Sequence, residues 1–280
     1  MVATDDSSAF ASALRDMHTL VHLAGRAHVM REPDGNAAAR FHDANVELTR
    51  RAVQGATVAG VSRVIFLSSI GAVATTAQAD VTDATTASPD TPYGRSKLDA
   101  EVLVRTVCEQ EGLSYVILRP PMVYGPGMKG NPLRLFRAID RGIPLPVAGA
   151  TNRRSMMYVD NLVAAIVAAL RLPLGTRQTF VVGDSEAVST TALVHEIAGV
   201  LKRPTRLVPI PLGVMRAAGA VGDAIDRVVP FSLTSTAVDR LFGSLAVDAS
   251  RFAQVARYVP PVNRHDAMQR TAEWFRQAER

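Results

Sequence analysis

The chain reads as an α/β protein, a parallel sheet with helices on its faces joined to a smaller, mostly helical lobe. Three observations predict this. Short unbroken runs of Val, Ile and Leu recur through the first two thirds of the chain, segments of helical periodicity alternate with them, and the last third replaces such runs with Pro-bounded, helix-like pieces. Strands covered on both faces lose the apolar/polar alternation of half-exposed ones. A β-α-β order of this kind winds into a parallel sheet with right-handed crossovers.

In chain order, strands are expected at 18–24 (H-T-L-V-H-L-A), 63–68 (R-V-I-F-L-S), 114–119 (S-Y-V-I-L-R) and 178–182 (Q-T-F-V-V), with helices at 38–60, 93–112 and 160–171. Residues 1–125 form the main domain, to which 178–184 returns. Residues 126–177 and 203–280 supply the second lobe, with helix-like pieces at 212–227 and 265–279. The Ala/Thr-rich stretch 74–88 reads as a surface loop.

Composition narrows the function. A single cysteine, Cys108, excludes an internal disulfide and a cysteine-cluster zinc site, and reads as a small buried hydrophobe in a reducing compartment. The start M-V-A-T-D-D-S-S has neither a basic nor an apolar core, so no secretion signal is read and a cytoplasmic protein is expected. The uncharged apolar run 162–170 is about half of what a bilayer crossing needs, so no membrane span is expected. The net charge of +5 comes from dispersed arginines with only 5% aromatic residues, which argues against nucleic acid and suits a phosphate-bearing substrate.

The stretch T-P-Y-G-R-S-K, 91–97, sets one of the chain's three lysines four residues after a tyrosine. Pro92 favours an extended Thr91 and a helix beginning near Tyr93, so Tyr93 and Lys97 share one helix face. A nearby ammonium favours the phenolate and is expected to pull the phenol from about 10 toward neutral, as general acid/base chemistry requires. Ser68 and Ser69 follow the strand 63–68, at the end that faces the ligand crevice of an open α/β sheet. They read either as holding a substrate oxygen or as capping the next turn.

The combined pattern resembles the extended short-chain dehydrogenase/reductases, the NAD-dependent epimerase/dehydratase group acting on nucleotide sugars. The matching blocks are V-H-L-A-G-R-A-H (21–28), A-N-V-E-L-T (44–49), V-I-F-L-S-S-I (64–70), P-Y-G-R-S-K (92–97), L-R-P-P-M-V-Y-G-P-G (118–127), N-R-R-S-M-M-Y-V-D-N (152–161) and V-V-G-D (181–184). Their wording is similar to bacterial 4-epimerases and 4-ketoreductases of UDP-linked N-acetylhexosamines in surface-polysaccharide pathways. The resemblance implies a Rossmann-like fold and NAD or NADP as cofactor. It implies Tyr93 as the proton-transferring residue and Lys97 as the group that lowers its pKa and holds the nicotinamide ribose. A serine would bind the reacting oxygen. Ala24 and Gly25 would pass their backbone beside the cofactor, with Asn45 bracing them, Ser68 nearby, and Pro120 to Val123 lining the nicotinamide pocket. Arg154, with Arg153, would grip the substrate diphosphate, as guanidinium groups suit phosphate oxygens. A solvated basic turn is the other reading of the two arginines. Lys129 and Asn131 would contact the nucleotide, or lie in a surface loop. Pairing into a homodimer through the helix carrying Tyr93 and the one before it is also implied.

Two features depart from the family pattern. Ile70 stands where several sugar epimerases carry a hydroxyl, which shifts the oxygen-binding role to Ser69. The Gly-x-x-Gly-x-x-Gly turn that holds the cofactor pyrophosphate is absent from the 280 residues. An N-terminally truncated sheet is therefore expected, with about 55 residues of the βαβαβ layout preceding Met1 and the strand at 18–24 left as an open edge.

Other candidates have structural readings. His22, His28 and His42 lack carboxylates at ligand spacing and are expected in the core or on helix surfaces, with no metal site. Asp160 and Asn161 read as helix-cap residues. The segment P-I-P-L-G-V-M-R-A-A-G-A-V, 209–221, suits either a membrane surface or lobe packing, and its few cations favour packing. Three functional readings follow: an NAD(P)-dependent epimerase or 4-ketoreductase of a UDP-linked amino sugar; a cofactorless remnant that binds a nucleotide sugar or a protein partner; and a redox sensor that binds dinucleotide without catalysis.

Overall fold

The computed structural model describes residues 7–27, 36–184, 186–226 and 234–279. Its first helix, α1 (Ser7–Ala13), leans on a long helical stretch that the sequence reads as one helix. That stretch is α2 (Ala37–His42), a π-helical turn (Asp43–Glu47) and α3 (Leu48–Val58). Four strands, β1 (Thr19–His22), β2 (Arg63–Leu67), β3 (Ser114–Arg119) and β6 (Arg177–Val181), form one parallel sheet in the order β1-β2-β3-β6. The expected strands are all present within one to two residues of their bounds, and among the described residues β1 is an edge.

Both faces of this sheet are covered, which explains the continuous apolar runs. On one face Val64, Phe66, Tyr115 and Ile117 pack with Val53 of α3 and with Ala100, Val104 and Cys108 of α4 (Pro92–Gln110). On the other, Ile65, Val116 and Leu118 meet Leu162, Ala165 and Ala169 of α6 (Val159–Leu170), with Phe252 of α10 (Ser250–Val255) beside them. Helix α6, expected in the second lobe, therefore packs on the sheet, as the right-handed crossover into β6 requires. Arg63 secures it: its guanidinium donates to the Leu170 and Leu172 carbonyls, 2.6 Å each, at the carbonyl-rich end of α6.

The second lobe has its own core. It is built from β4 (Met122–Tyr124) and β5 (Met156–Tyr158), a two-stranded parallel pair absent from the sequence reading. Around them lie α5 (Asn131–Asp140), α7 (Thr190–Leu201) and α11 (Arg264–Ala278), contributing Phe136, Ile197 and Phe275. Three-residue strands are too short for periodicity to reveal. Asn161 is buried at the join: it donates to Asp184 and to the Val262 carbonyl and accepts from the Val262 amide, tying α6 to the chain entering α11. It is not the cap expected, and neither is exposed Asp160, because α6 begins at Val159 and Asp184 accepts the Tyr158 amide at 2.8 Å.

Residues 74–88 carry no helix or strand but are more than a surface loop. Val81 is buried and bridges to Val247, while Asp83 accepts the Val181 amide on the outer edge of β6 and pairs with Arg251. Helix α8 (Leu212–Asp226) meets the lobe-packing expectation for 209–221 on one face only. Between Leu212 and Asp223 it buries only Met215, Gly219 and Gly222. That inner face rests on α9 (Ser235–Phe242), close enough that a Cβ on Gly219 would meet the Ser235 backbone at 3.1 Å.

Candidate active site

The site forms where β2 and β3 end and α4 begins. Beyond β2 the chain stays paired, with the Ser68 amide donating to Leu118 and the Ile70 amide to Pro120. Ser69 is extended and its hydroxyl accepts the Gly71 amide at 3.1 Å, capping a short 3-10 turn (Ile70–Ala72). Thr91 is extended ahead of Pro92, as expected, and its hydroxyl caps α4 by accepting the Gly94 amide at 3.0 Å. Gly94 permits a close approach: a Cβ there would lie 2.2 Å from the Gly71 carbonyl oxygen. The first turn of α4 thus sits on the 70–72 turn, and Ser69 and Tyr93 meet there, since a Cβ on Gly71 would touch the Ser69 hydroxyl at 3.4 Å and the Tyr93 ring at 3.5 Å.

The phenol does not behave as the Tyr-Lys spacing predicts. Burial holds Tyr93 above its ordinary value, and the Ser69 hydrogen bond pulls the other way. Lys97 is engaged elsewhere: its ammonium donates to the Leu67 carbonyl at 2.7 Å and lies 4.3 Å from the Phe66 ring centre. Burial lowers Lys97 to about 8, and the Glu101 carboxylate opposes that. His22, stacked on Phe66, is brought down to about 4 by burial and by the nearby Lys97 charge. It hydrogen-bonds Thr49 at 3.0 Å and so is a core residue, while His42 is exposed on its helix. His28 lies outside the described residues.

Asn45 sits in the π turn and makes a two-way clamp. Its carbonyl accepts the Arg26 amide at 2.7 Å, and its amide donates to the Arg26 carbonyl and to the Ser96 hydroxyl. Ser96 in turn donates to the Tyr93 carbonyl. Gly25 is pressed into this corner, since a Cβ on it would stand 2.8 Å from Asn45 Oδ1 and 3.8 Å from Lys97 Nζ. Gly25, Asn45 and Lys97 are therefore neighbours, with Tyr93 joined to Asn45 through Ser96 and Ala24 preceding Gly25 in the chain. Asn45 is buried within the π turn, a distortion common at functional sites.

Ser68 is placed differently from its expected position at the cofactor. Its hydroxyl donates at 2.5 Å to Glu101, a fully buried carboxylate that also receives a two-pronged contact from Arg119, 2.9 and 2.7 Å, and a longer one from Arg105. The sequence reading missed this Glu101–Arg119 pair. Its available signal was a glutamate one helical turn beyond Lys97 in an otherwise apolar helix face.

The remaining predicted residues fall on the lobe side. Pro120 is buried against the 68–70 segment, and Val123 pairs in register with Met157. Arg153 is largely exposed and makes a two-pronged bridge to Asp80. Arg154 is half-buried and donates to the Gly243 carbonyl at 2.8 Å. Lys129 and Asn131 are exposed at the start of α5 and stand apart from the Tyr93 cluster in the described hydrogen bonding. Asn152, not singled out by sequence, fixes this turn by bonding Thr190 in both directions and donating to the Leu241 and Gly243 carbonyls.

The family model described as NAD dependent epimerase/dehydratase family matches residues 2–183. The chain belongs to this family. Among its epimerase/dehydratase relatives, a UDP-glucose 4-epimerase of Vibrio cholerae is 33% identical over 275 residues, spanning 97% of this chain and 81% of that protein. An N-acetyl-alpha-D-glucosaminyl-diphospho-ditrans,octacis-undecaprenol 4-epimerase of Escherichia coli O157:H7 is 26% identical, spanning 96% and 81%. The solved structure of MoeE5 in complex with UDP-glucuronic acid and NAD superposes with a TM-score of 0.75 at 23% identity, covering 98% of this chain and 84% of that one. The UDP-glucuronic acid 4-epimerase of Bacillus cereus in complex with NAD gives 0.74 at 17%, covering 97% and 78%. Both share this epimerase/dehydratase fold.

Proposed function

We propose that the chain is an NAD(P)-dependent epimerase or 4-ketoreductase of a UDP-linked amino sugar, acting in surface-polysaccharide synthesis. The observation that carries the reading is the gathering of Ser69, Tyr93 and Lys97 where β2 ends and α4 begins, with Gly25 and Asn45 on the side of the ammonium. The kinship to a UDP-glucose 4-epimerase and to an epimerase of a lipid-borne N-acetylglucosamine supports the substrate class.

The residues present fit the nicotinamide end of the cofactor. Gly25 leaves bare backbone next to Lys97, and of the three ammonium donors the described hydrogen bonds use one, toward Leu67. When bound, the nicotinamide supplies the acceptor and donor of hydride for the sugar carbon. Tyr93 exchanges the proton of the sugar hydroxyl. Ser69, close to the phenol, favours the phenolate and orients the sugar oxygen. Lys97 holds the ribose and keeps a positive charge beneath the site. Arg154, with Arg153, binds the diphosphate, and Lys129 and Asn131 reach the nucleotide from the start of α5. The chain pairs into a homodimer through α3 and α4.

Calorimetric titration of NAD(H) and NADP(H), followed by a UDP-N-acetylhexosamine assay, tests the reading. Tyr93→Phe is expected to lower turnover at least ~10²-fold, in the range of a lost general acid/base, with cofactor binding unchanged. Retention of most activity would sink the assignment. Binding of the nucleotide sugar without either cofactor would move it to a binding protein without catalysis.

A further inference from the structure

We propose that α8 and the segment leading into it form a surface that docks on an anionic lipid bilayer. The helix is apolar on nearly every side, a composition that ordinarily places a helix in a core or a membrane. Among the described residues only one narrow face is covered, by α9. The outer face presents Val214 at 57% and Val221 at 60% exposure, with Ala217 between them one turn from each. Upstream, Ile143 and Val208 are also exposed, on two segments held together by the Leu145 amide donating to Arg206 and the Val208 amide donating to Leu145.

The surrounding charge identifies the partner. Residues 202–216 contain Lys202, Arg203, Arg206 and Arg216 and no acidic residue, and all four cations are exposed. Arg206 bonds the Gly142 carbonyl, which puts its guanidinium beside Ile143. Of the carboxylates around it, Asp140 pairs with Arg203 and Asp223 accepts the Ser235 amide at the start of α9, while Asp239 lies on α9 beyond the basic stretch. An apolar strip fringed by arginines matches an interface whose headgroups are negative and whose acyl layer is apolar. A second copy of the chain is the poorer match, because a two-fold contact would set the same basic fringe against itself. Among the described residues no helix is long and apolar enough to cross a membrane, so the surface lies on the bilayer.

The arrangement reaches toward the site. Helix α8 packs on α9, and Gly243, immediately after α9, supplies the carbonyl that Arg154 binds. Docking through α8 therefore places the diphosphate-gripping arginine of the proposed function one helix away from the lipid. Docking itself does not depend on that function.

The test is flotation of the whole chain with vesicles of phosphatidylethanolamine and phosphatidylglycerol, against phosphatidylcholine alone. The expected result is flotation with the anionic vesicles, weakened at least fivefold with phosphatidylcholine. Val214→Ser with Val221→Ser is expected to abolish it, and Arg216→Ala alone to weaken it about fivefold, as the loss of one cation near such a surface does. Circular dichroism checks that each variant is folded, and both valines are exposed, so serine fits there. Chain that stays unbound with anionic vesicles overturns the proposal. So do variants that float like the parent. Self-association that depends on the same two valines, without flotation, assigns the face to a second copy instead.

Discussion

Lys97 is a buried ammonium with a carboxylate one turn below it. Burial lowers its pKa to about 8 while Glu101 raises it, so the charged form is lost as pH climbs through that value. If turnover needs the ammonium, activity falls on the alkaline side of pH 8. Glu101→Gln removes the opposing influence and is expected to move that limb to lower pH, whereas Glu101→Asp, keeping the charge, restores it toward the parent. A limb that stays put in the Gln variant would separate Lys97 from catalysis. The same substitution leaves Arg119 buried without its partner, at a cost of about 3–5 kcal/mol in urea unfolding. The placing of Tyr93 and Lys97 one turn apart on a helix was legible from their four-residue spacing together with Pro92 ahead of them. The direction of the tyrosine shift was not, because burial and a carbonyl partner for the lysine depend on how β2 and α4 meet.

At the scale of elements, the placement of α4 decides the site. Its first turn approaches the 70–72 turn so closely that Gly94→Ala would drive a methyl group into the Gly71 carbonyl. The expected outcome is a helix start displaced from Ser69 and turnover lowered at least ~10²-fold, as an ångström of misplacement commonly costs. Stability would fall as well, since the clash is with backbone, but a chain that still unfolds cooperatively at reduced urea while its turnover is lost marks a displaced site. Kinetics alongside urea unfolding distinguishes this from simple loss of fold. Helices and long strands were readable because buried strands and amphipathic helices carry strong periodic patterns. The pair β4–β5 was not, nor was the pinning of residues 74–88 by Val81 and Asp83, since these depend on distant partners at 244–251. Asn161 likewise looked like a helix cap, and only the approach of residue 262 shows its use as a tie.

Across the whole molecule, pH acts through the sheet edge as well as the site. His22 is held at about 4 when folded, against 6.5 ordinarily, so the unfolded chain binds a proton first as pH falls. Stability is therefore full above about 6.5 and declines from there toward 4, by roughly 3 kcal/mol for this one group. Urea unfolding at stepped pH measures the slope, and His22→Gln is expected to flatten it. An unchanged slope in the variant would remove His22 as the cause. A helical tail was readable from the change in composition after residue 203, but neither the packing of α10 on the sheet nor the surface character of α8 was. A helix apolar all round gives no sequence signal of which side its neighbours leave open. One last property follows from Cys108, fully buried between α4 and the sheet with its thiol pushed up to about 12. Because the chain has a single sulfhydryl and it is shielded in the fold, the rate at which an alkylating reagent consumes it is a clock for how often the main sheet comes apart.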